Sequence, residues 1–115
     1  MNNYRNLKTK VGIVIVMTAL SLGALGQSNS ASASKAEVTI DNFTFQAPTI
    51  TVPVGTEVTW INRDDMPHTI ASDDKMLKSK ALDTDERFSF TFAAAGTYHY
   101  LCSIHPKMTG EVIVK

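Results

Sequence analysis

Short apolar runs with a period of two, separated by turn residues, dominate the chain from Glu37 to Lys115. In the clearest of them, Phe88, Phe90 and Phe92 alternate with polar residues. Such alternation buries one face of a strand and leaves the other in solvent. We therefore predict an all-β fold, a sandwich or barrel of about seven to eight short strands.

Three stretches carry more specific predictions. Residues Asn42–Phe45 are expected to continue the first strand in extended form. Residues Pro48–Val54 are expected to form a strand with Pro53 at an edge or a bulge, where a missing amide is tolerated. The stretch Ser72–Asp85 has mixed charge and poor periodicity, which predicts either a short helix around Lys75–Lys80 or an irregular crossover.

The N-terminal segment has the three parts of a secretory signal peptide. Three basic residues precede an almost wholly apolar run over residues 11–26, and Ala31-Ser32-Ala33 forms an A-x-A cleavage signal. We predict a signal peptide of residues 1–33, cleaved near Ala33, and a periplasmic domain of residues 34–115. An uncleaved anchor is the alternative, although a membrane-spanning helix needs about 20 apolar residues. No membrane span is expected after cleavage.

The predicted mature domain has about 82 residues, which is one small domain with a limited core. It carries eight basic and eleven acidic residues, a net charge of −3. This balance argues against nucleic acid as a partner, because phosphate binding depends on clustered Lys and Arg. We expect the domain to be a monomer.

Cys102 is the only cysteine of the chain, so it cannot form an internal disulfide. Exported proteins normally pair their cysteines, and metal ligation is one way to protect a single thiol. His105 and Met108 follow it at intervals of three residues, and His68 lies 34 residues upstream. One thiolate, two imidazoles and a thioether are the donors of a type 1 copper centre, in which Met is the weak axial ligand. The sequence therefore predicts one copper ion.

Each donor also has an ordinary interpretation. His68 alone could be a loop histidine, Cys102 with His105 could be half of a zinc site, and Met108 could fill the core. His99 lies three residues before Cys102 and so faces the opposite side of its strand. Binuclear copper sites need two cysteines and multicopper oxidases need more than three histidines, so both are excluded. We do not expect an enzyme.

The chain resembles the plastocyanin- and azurin-type cupredoxins, and among them the amicyanin type, over about residues 37–115. The two-residue spacers on either side of His105 are the most specific point. The matching motifs are Val58-Thr59-Trp60-Ile61-Asn62-Arg63, Met66-Pro67-His68, Ala95-Gly96-Thr97-Tyr98 and Cys102-x-x-His105-Pro106-x-Met108.

The resemblance implies a Greek-key β-sandwich with copper at one end. It implies His68, Cys102 and His105 as equatorial ligands and Met108 as the axial ligand. It also implies that Asn62 braces the ligand loops, with Ser103 as its hydrogen-bond partner. Electrons would leave through a partly exposed edge of His105. The residues implied to frame that edge are Met66, Pro67, Ile104, Pro106 and Lys107.

These observations favour an exported protein that carries single electrons between redox partners, a dehydrogenase or a cytochrome c-like protein. A periplasmic protein that binds or delivers copper as cargo is the alternative, since its ligands could be the same. A third possibility is an accessory domain whose metal is structural. Asn62 and Ser103 favour electron transfer, because partners behind the ligands suit a site of fixed geometry.

Overall fold

The computed structural model describes residues 33–115. The predicted signal peptide and its cleavage point therefore lie almost wholly outside the described residues. Within residues 33–115 there are seven strands and no helix, and so none that could span a membrane. The strands are β1 (Lys35–Asp41), β2 (Thr44–Phe45), β3 (Thr49–Val52), β4 (Thr56–Asn62), β5 (Arg87–Phe92), β6 (Gly96–Leu101) and β7 (Thr109–Val114).

The seven strands form two sheets, one in the order β2-β1-β4-β5 and one in the order β3-β7-β6. β1 pairs with β4 and β3 pairs with β7 in parallel, while the other neighbours are antiparallel. Parallel neighbours cannot be joined by a tight hairpin, so the chain has to cross between the sheets. The result is the predicted all-β sandwich.

The core lies between the two sheets and follows the predicted alternation. Val58 and Trp60 on β4 are fully buried, as are Val38 and Ile40 on the neighbouring strand β1. Tyr100 on β6 packs edge-on against Trp60, with ring centroids 5.3 Å apart. Aromatic pairs of this kind add to the burial of apolar area in holding sheets together.

Two predicted extended stretches are wrong in detail. The first strand ends at Asp41, and Asn42 and Phe43 have φ values of 52° and 55°. Positive φ at both central residues of a two-residue loop is the type I′ hairpin turn, so the chain reverses here into β2. In the next strand, β3 ends at Val52, and Val54 lies outside it, 51% exposed.

The stretch between β4 and β5 is the irregular crossover, not the short helix. It is held by isolated antiparallel bridges, His68 to Leu82 and Ala71 to Lys78. Ala71 also bridges to Leu101 at the end of β6. These bridges carry His68 to the end of the sandwich where β6 finishes and β7 begins.

Candidate metal centre

Cys102 directly follows β6 and is fully buried. Its amide donates to the carbonyl of Met108 at 3.0 Å, which closes the short loop before β7. Its Sγ accepts a hydrogen bond from the amide of Thr69 at 3.3 Å. Burial acts to raise the pKa of the Cys102 thiol, but backbone hydrogen bonds, chiefly the one from the Thr69 amide, outweigh it and leave this pKa below its ordinary value. The environment therefore favours the thiolate, the form that binds metals.

His68 is fully buried, and its two ring nitrogens face different partners. Nε2 lies 3.0 Å from Oδ2 of Asp64, and Nδ1 lies 3.8 Å from Sγ of Cys102. An ionised carboxylate only accepts, so Nε2 carries the proton and Nδ1 presents a lone pair toward the sulfur. A carboxylate behind an imidazole is a common way to fix the tautomer and orientation of a metal ligand.

Asp64 links His68 to a distant part of the chain. The same Oδ2 atom accepts a hydrogen bond from the amide of Phe43 at 3.0 Å, and Oδ1 accepts one from the amide of Asp65 at 2.9 Å. The Phe43 amide, followed by His68, lowers the pKa of Asp64 from 3.8 to about 2. Asp64 was not identified from the sequence, where its only signal is its position four residues before His68.

Asn62 ends β4 and holds the loop that leads to His68. Its Nδ2 donates to the carbonyls of Met66 at 2.9 Å and Leu82 at 2.8 Å, and its Oδ1 accepts from the amide of Asp64 at 2.9 Å. Asn62 is fully buried, so each of these bonds satisfies a group away from water. The side chain thus ties the segment before His68 to the crossover.

The expected hydrogen bond between Asn62 and Ser103 is wrong. Ser103 pairs with Thr69, whose Oγ1 accepts from the Ser103 amide at 2.7 Å and lies 2.8 Å from the Ser103 hydroxyl. Both Nδ2 protons of Asn62 are already used on its own side of the site. Sequence reasoning missed Thr69, although it directly follows His68.

His105 is half-buried in the loop after β6. Its ring centroid lies 5.1 Å from that of His68, and its Nε2 is buried without a hydrogen-bond partner in the described part of the chain. Its carbonyl accepts from the amide of Met108 at 2.8 Å. Met108 is 6% exposed and belongs to the same buried cluster as Cys102.

The four predicted donors thus share one end of the sandwich. Cys102 and His68 already face each other, although no three His, Cys, Asp or Glu side chains in residues 33–115 stand in ready-made metal-binding geometry. His105 packs against His68 and offers a buried imidazole nitrogen that lacks a partner. A thiolate, two imidazoles and a thioether are soft and borderline donors that fit copper.

Exposed apolar side chains surround these donors. Met66 and Ile104 are 43% and 45% exposed and flank His68 and His105 in sequence, as expected. Phe43 is 47% exposed and was not expected here. Its ring lies edge-on to both imidazoles, 5.5 Å from His68 and 5.0 Å from His105 between centroids. The turn at Asn42 and Phe43 is what brings the ring to this end of the molecule.

The third histidine, His99, lies elsewhere. It is exposed on the outer face of β6, and its Nδ1 lies 3.3 Å from a carboxylate oxygen of Glu111 on β7. This agrees with the expectation that it faces away from Cys102.

Comparison with known proteins gives the same family from sequence and from structure. The model of the cupredoxin-like domain family matches residues 12–114. The chain is 35% identical to amicyanin-alpha of Methylorubrum extorquens over 84% of this chain and 86% of that protein. It is 39% identical to the amicyanin of Paracoccus denitrificans over 68% of this chain but only 63% of that protein, less than two thirds of its length.

Among solved structures, the amicyanin of Paracoccus versutus superimposes with a TM-score of 0.67 at 31% identity. The alignment covers 74% of this chain and 85% of that one. The sequence identity and the superposition thus agree on the family and on the fold. The chain therefore belongs to the cupredoxin family and is amicyanin-like, and type 1 copper is the cofactor of that family.

Proposed function

We propose that this protein is an exported carrier of single electrons, not an enzyme, with His68, Cys102, His105 and Met108 as the ligands of one copper ion. When bound, copper supplies the one-electron Cu(II)/Cu(I) couple. The observation that carries the proposal is the buried pair formed by Cys102 Sγ and His68 Nδ1, which face each other at 3.8 Å.

The residues behind this pair suit a centre whose geometry stays constant. Asp64 holds the far side of the His68 ring, and the Thr69 amide points at the Cys102 sulfur. Both donors are fully buried, so water does not compete for them. Ligands held in this way need little rearrangement between oxidation states, and such partners tune a metal ligand.

His105 is the proposed route for electrons, because it is the less buried of the two imidazoles. Met66 and Ile104 expose apolar area on either side of the ligand loops. Small apolar surfaces suit brief redox encounters, which bury less than about 1,200 Å² in total. We propose a dehydrogenase or a cytochrome c-like protein as partner and a monomer as the working form.

The proposed location is the periplasm, reached through the signal peptide of residues 1–33. Its support is the order of basic, apolar and small polar residues at the N-terminus. N-terminal sequencing of the exported protein is the test. A mature chain that begins close to residue 34 supports the proposal, and a chain that keeps residues 11–26 contradicts it.

Copper delivery is the alternative function, and the site argues against it. A carrier of copper as cargo needs donors that a partner can reach. Cys102 and His68 are both fully buried and both hydrogen-bonded to neighbouring groups. A partner would have to reach two donors that have no exposed surface at each delivery.

The test of the copper site is a titration of the metal-free mature protein with Cu(II), followed by visible absorption. We expect saturation at one equivalent with intense thiolate-to-copper absorption, and loss of that absorption in Cys102→Ser. His99→Ala is the matched control, because His99 is exposed on β6 and lies outside the site. Equal spectra in wild type and Cys102→Ser would overturn the ligand assignment.

A further inference from the structure

Phe43 occupies a backbone conformation that is costly for its residue type. It is the second central residue of the type I′ turn between β1 and β2, with φ at 55°. Glycine is the preferred residue at this position, because a Cβ clashes in the left-handed region. A bulky residue held there is an outlier, and such outliers cluster at functional sites.

Burial in the core does not offset this strain, because the ring of Phe43 is exposed. Phe43 is 47% exposed, whereas its neighbour Phe45 is 1% exposed and packs on Tyr100. What Phe43 contacts instead is the metal centre. Its ring stands at 90° to the ring of His68 and at 77° to the ring of His105, in the edge-to-face arrangement that aromatic rings prefer.

The backbone of Phe43 is fixed to the same centre. Its amide donates to the Asp64 oxygen that also pairs with Nε2 of His68. One carboxylate therefore sets the positions of the His68 ring and of the turn that carries Phe43. The strained turn, the ring and the ligand form one connected unit.

We propose that Phe43 is a positioning residue of the metal centre, an aromatic cover that Asp64 holds over His68 and His105 and that limits the access of water and small molecules to the buried donors. The proposal rests on the proposed function only in taking these two histidines as part of the site. An apolar layer around a metal centre sets its solvent access and local dielectric. The strain of the turn is retained because glycine, which suits the backbone, would leave the two imidazoles uncovered.

The test uses the metal-free mature protein and the rate at which a small neutral alkylating reagent modifies Cys102, the only thiol. Phe43→Gly and Phe43→Ala both remove the ring, but only glycine relieves the positive φ. Phe43→Leu keeps apolar bulk. Lys75→Gly is the matched control. Lys75 also has a positive φ, 63°, but it lies in the exposed crossover and is not part of the proposed cover.

We expect Phe43→Gly and Phe43→Ala to be alkylated about tenfold faster than wild type, with Phe43→Leu and Lys75→Gly within about twofold of it. In urea unfolding, the folding equilibrium constant of Phe43→Gly should exceed that of Phe43→Ala by about two- to fivefold, because glycine fits the turn. Fast alkylation in the more stable glycine variant would show that access, not unfolding, sets the rate.

Two results would contradict the proposal that Phe43 limits access to the buried donors. One is a wild-type alkylation rate in both Phe43→Gly and Phe43→Ala. The other is a rate that follows stability, slow in the glycine variant and fast in the alanine variant. Because the assay contains no metal, neither result depends on whether copper binds, so the failure of the cover and the failure of the proposed copper site are distinguishable.

Discussion

The two segments that supply the predicted ligands are held in very different ways. The upstream segment, residues 63–68, ends in a fully buried histidine and forms two hydrogen bonds with Asn62. Asp64 within it accepts from the Phe43 amide, and the Thr84 hydroxyl donates to the Asp64 carbonyl at 2.6 Å. The downstream loop, residues 103–107, is fixed mainly near its ends.

In the downstream loop, Ser103 is bonded to Thr69, and Met108 closes the loop through the carbonyl of His105. Most residues between these points are exposed, and His105 keeps a buried nitrogen without a partner in the described part of the chain. The upstream segment therefore sets the geometry of the site. The downstream loop supplies the exposed surface of the site. An electron carrier needs both, a fixed metal geometry and a surface that a redox partner can approach.

The largest effect is expected from Asn62→Ala, which removes the anchor of the upstream segment. The carbonyl of Met66 and the amide of Asp64 lose their partner, and the carbonyl of Leu82 keeps only its bond from the His68 amide. Leaving buried polar groups unpaired costs about 1–3 kcal/mol each when water cannot replace the bond, so we expect a loss of about 3 kcal/mol in the free energy of unfolding. Urea unfolding of the metal-free protein measures it.

Thr59→Ala is the control for this prediction. It removes one exposed bond, between the hydroxyls of Thr59 and Ser89, and should cost about 0.5 kcal/mol. If Asn62→Ala costs no more than this control, the upstream segment does not depend on Asn62 and the contrast between the two loops fails.

A smaller effect is expected where the two segments meet. Thr69→Val removes the acceptor of the Ser103 amide and the partner of its hydroxyl, at a cost of about 1.5 kcal/mol. Ser103→Ala loses only the hydroxyl pair, and we expect about 0.5 kcal/mol. A double-mutant cycle in urea should give a clear coupling energy for Thr69 and Ser103 and none for Asn62 and Ser103. Coupling in the second cycle alone would restore the pairing that the structure rejects.

The last effect depends on pH and concerns Asp64. Its pKa is about 2 in the folded protein, against an ordinary value of 3.8, so the folded state binds fewer protons between these values. The stabilisation from the carboxylate is therefore complete above about pH 4 and is lost as the pH falls toward 2. We expect Asp64→Asn to lower the thermal midpoint at pH 6, with the difference from wild type shrinking below pH 4.

Thermal unfolding at a series of pH values between 2 and 7 checks this prediction. A difference between wild type and Asp64→Asn that stays constant over the whole range would contradict it. Such a result would mean that the bonds to Phe43 and His68 do not depend on the charge of the carboxylate.

Much of the fold follows from local pattern. The alternation in β4 and β6 predicts which side of each strand is buried, because the period of two is a property of the strand itself. The donors Cys102, His105 and Met108 are visible because short spacing on one loop keeps them together. The strand pattern alone does not distinguish a sandwich from a barrel. The family resemblance is what favours the sandwich.

The features that the pattern did not predict depend on contacts between residues far apart in sequence or on an unusual backbone conformation. Thr69 and Ser103 meet although they are 34 residues apart, and no periodicity signals that contact. The pattern predicts an extended strand at Phe43, because a phenylalanine is not expected in the left-handed region of a turn. Asp64 reaches His68 through an irregular loop, where spacing does not fix direction.

Cyclic voltammetry of the copper-loaded mature protein, with visible spectra recorded before and after cycling, tests the central claim most directly. A site with fixed donors should give a reversible one-electron wave and should keep its thiolate-to-copper absorption through repeated cycles. An irreversible wave, with copper released to a chelator on each reduction, would contradict electron transfer and favour the delivery of copper as cargo.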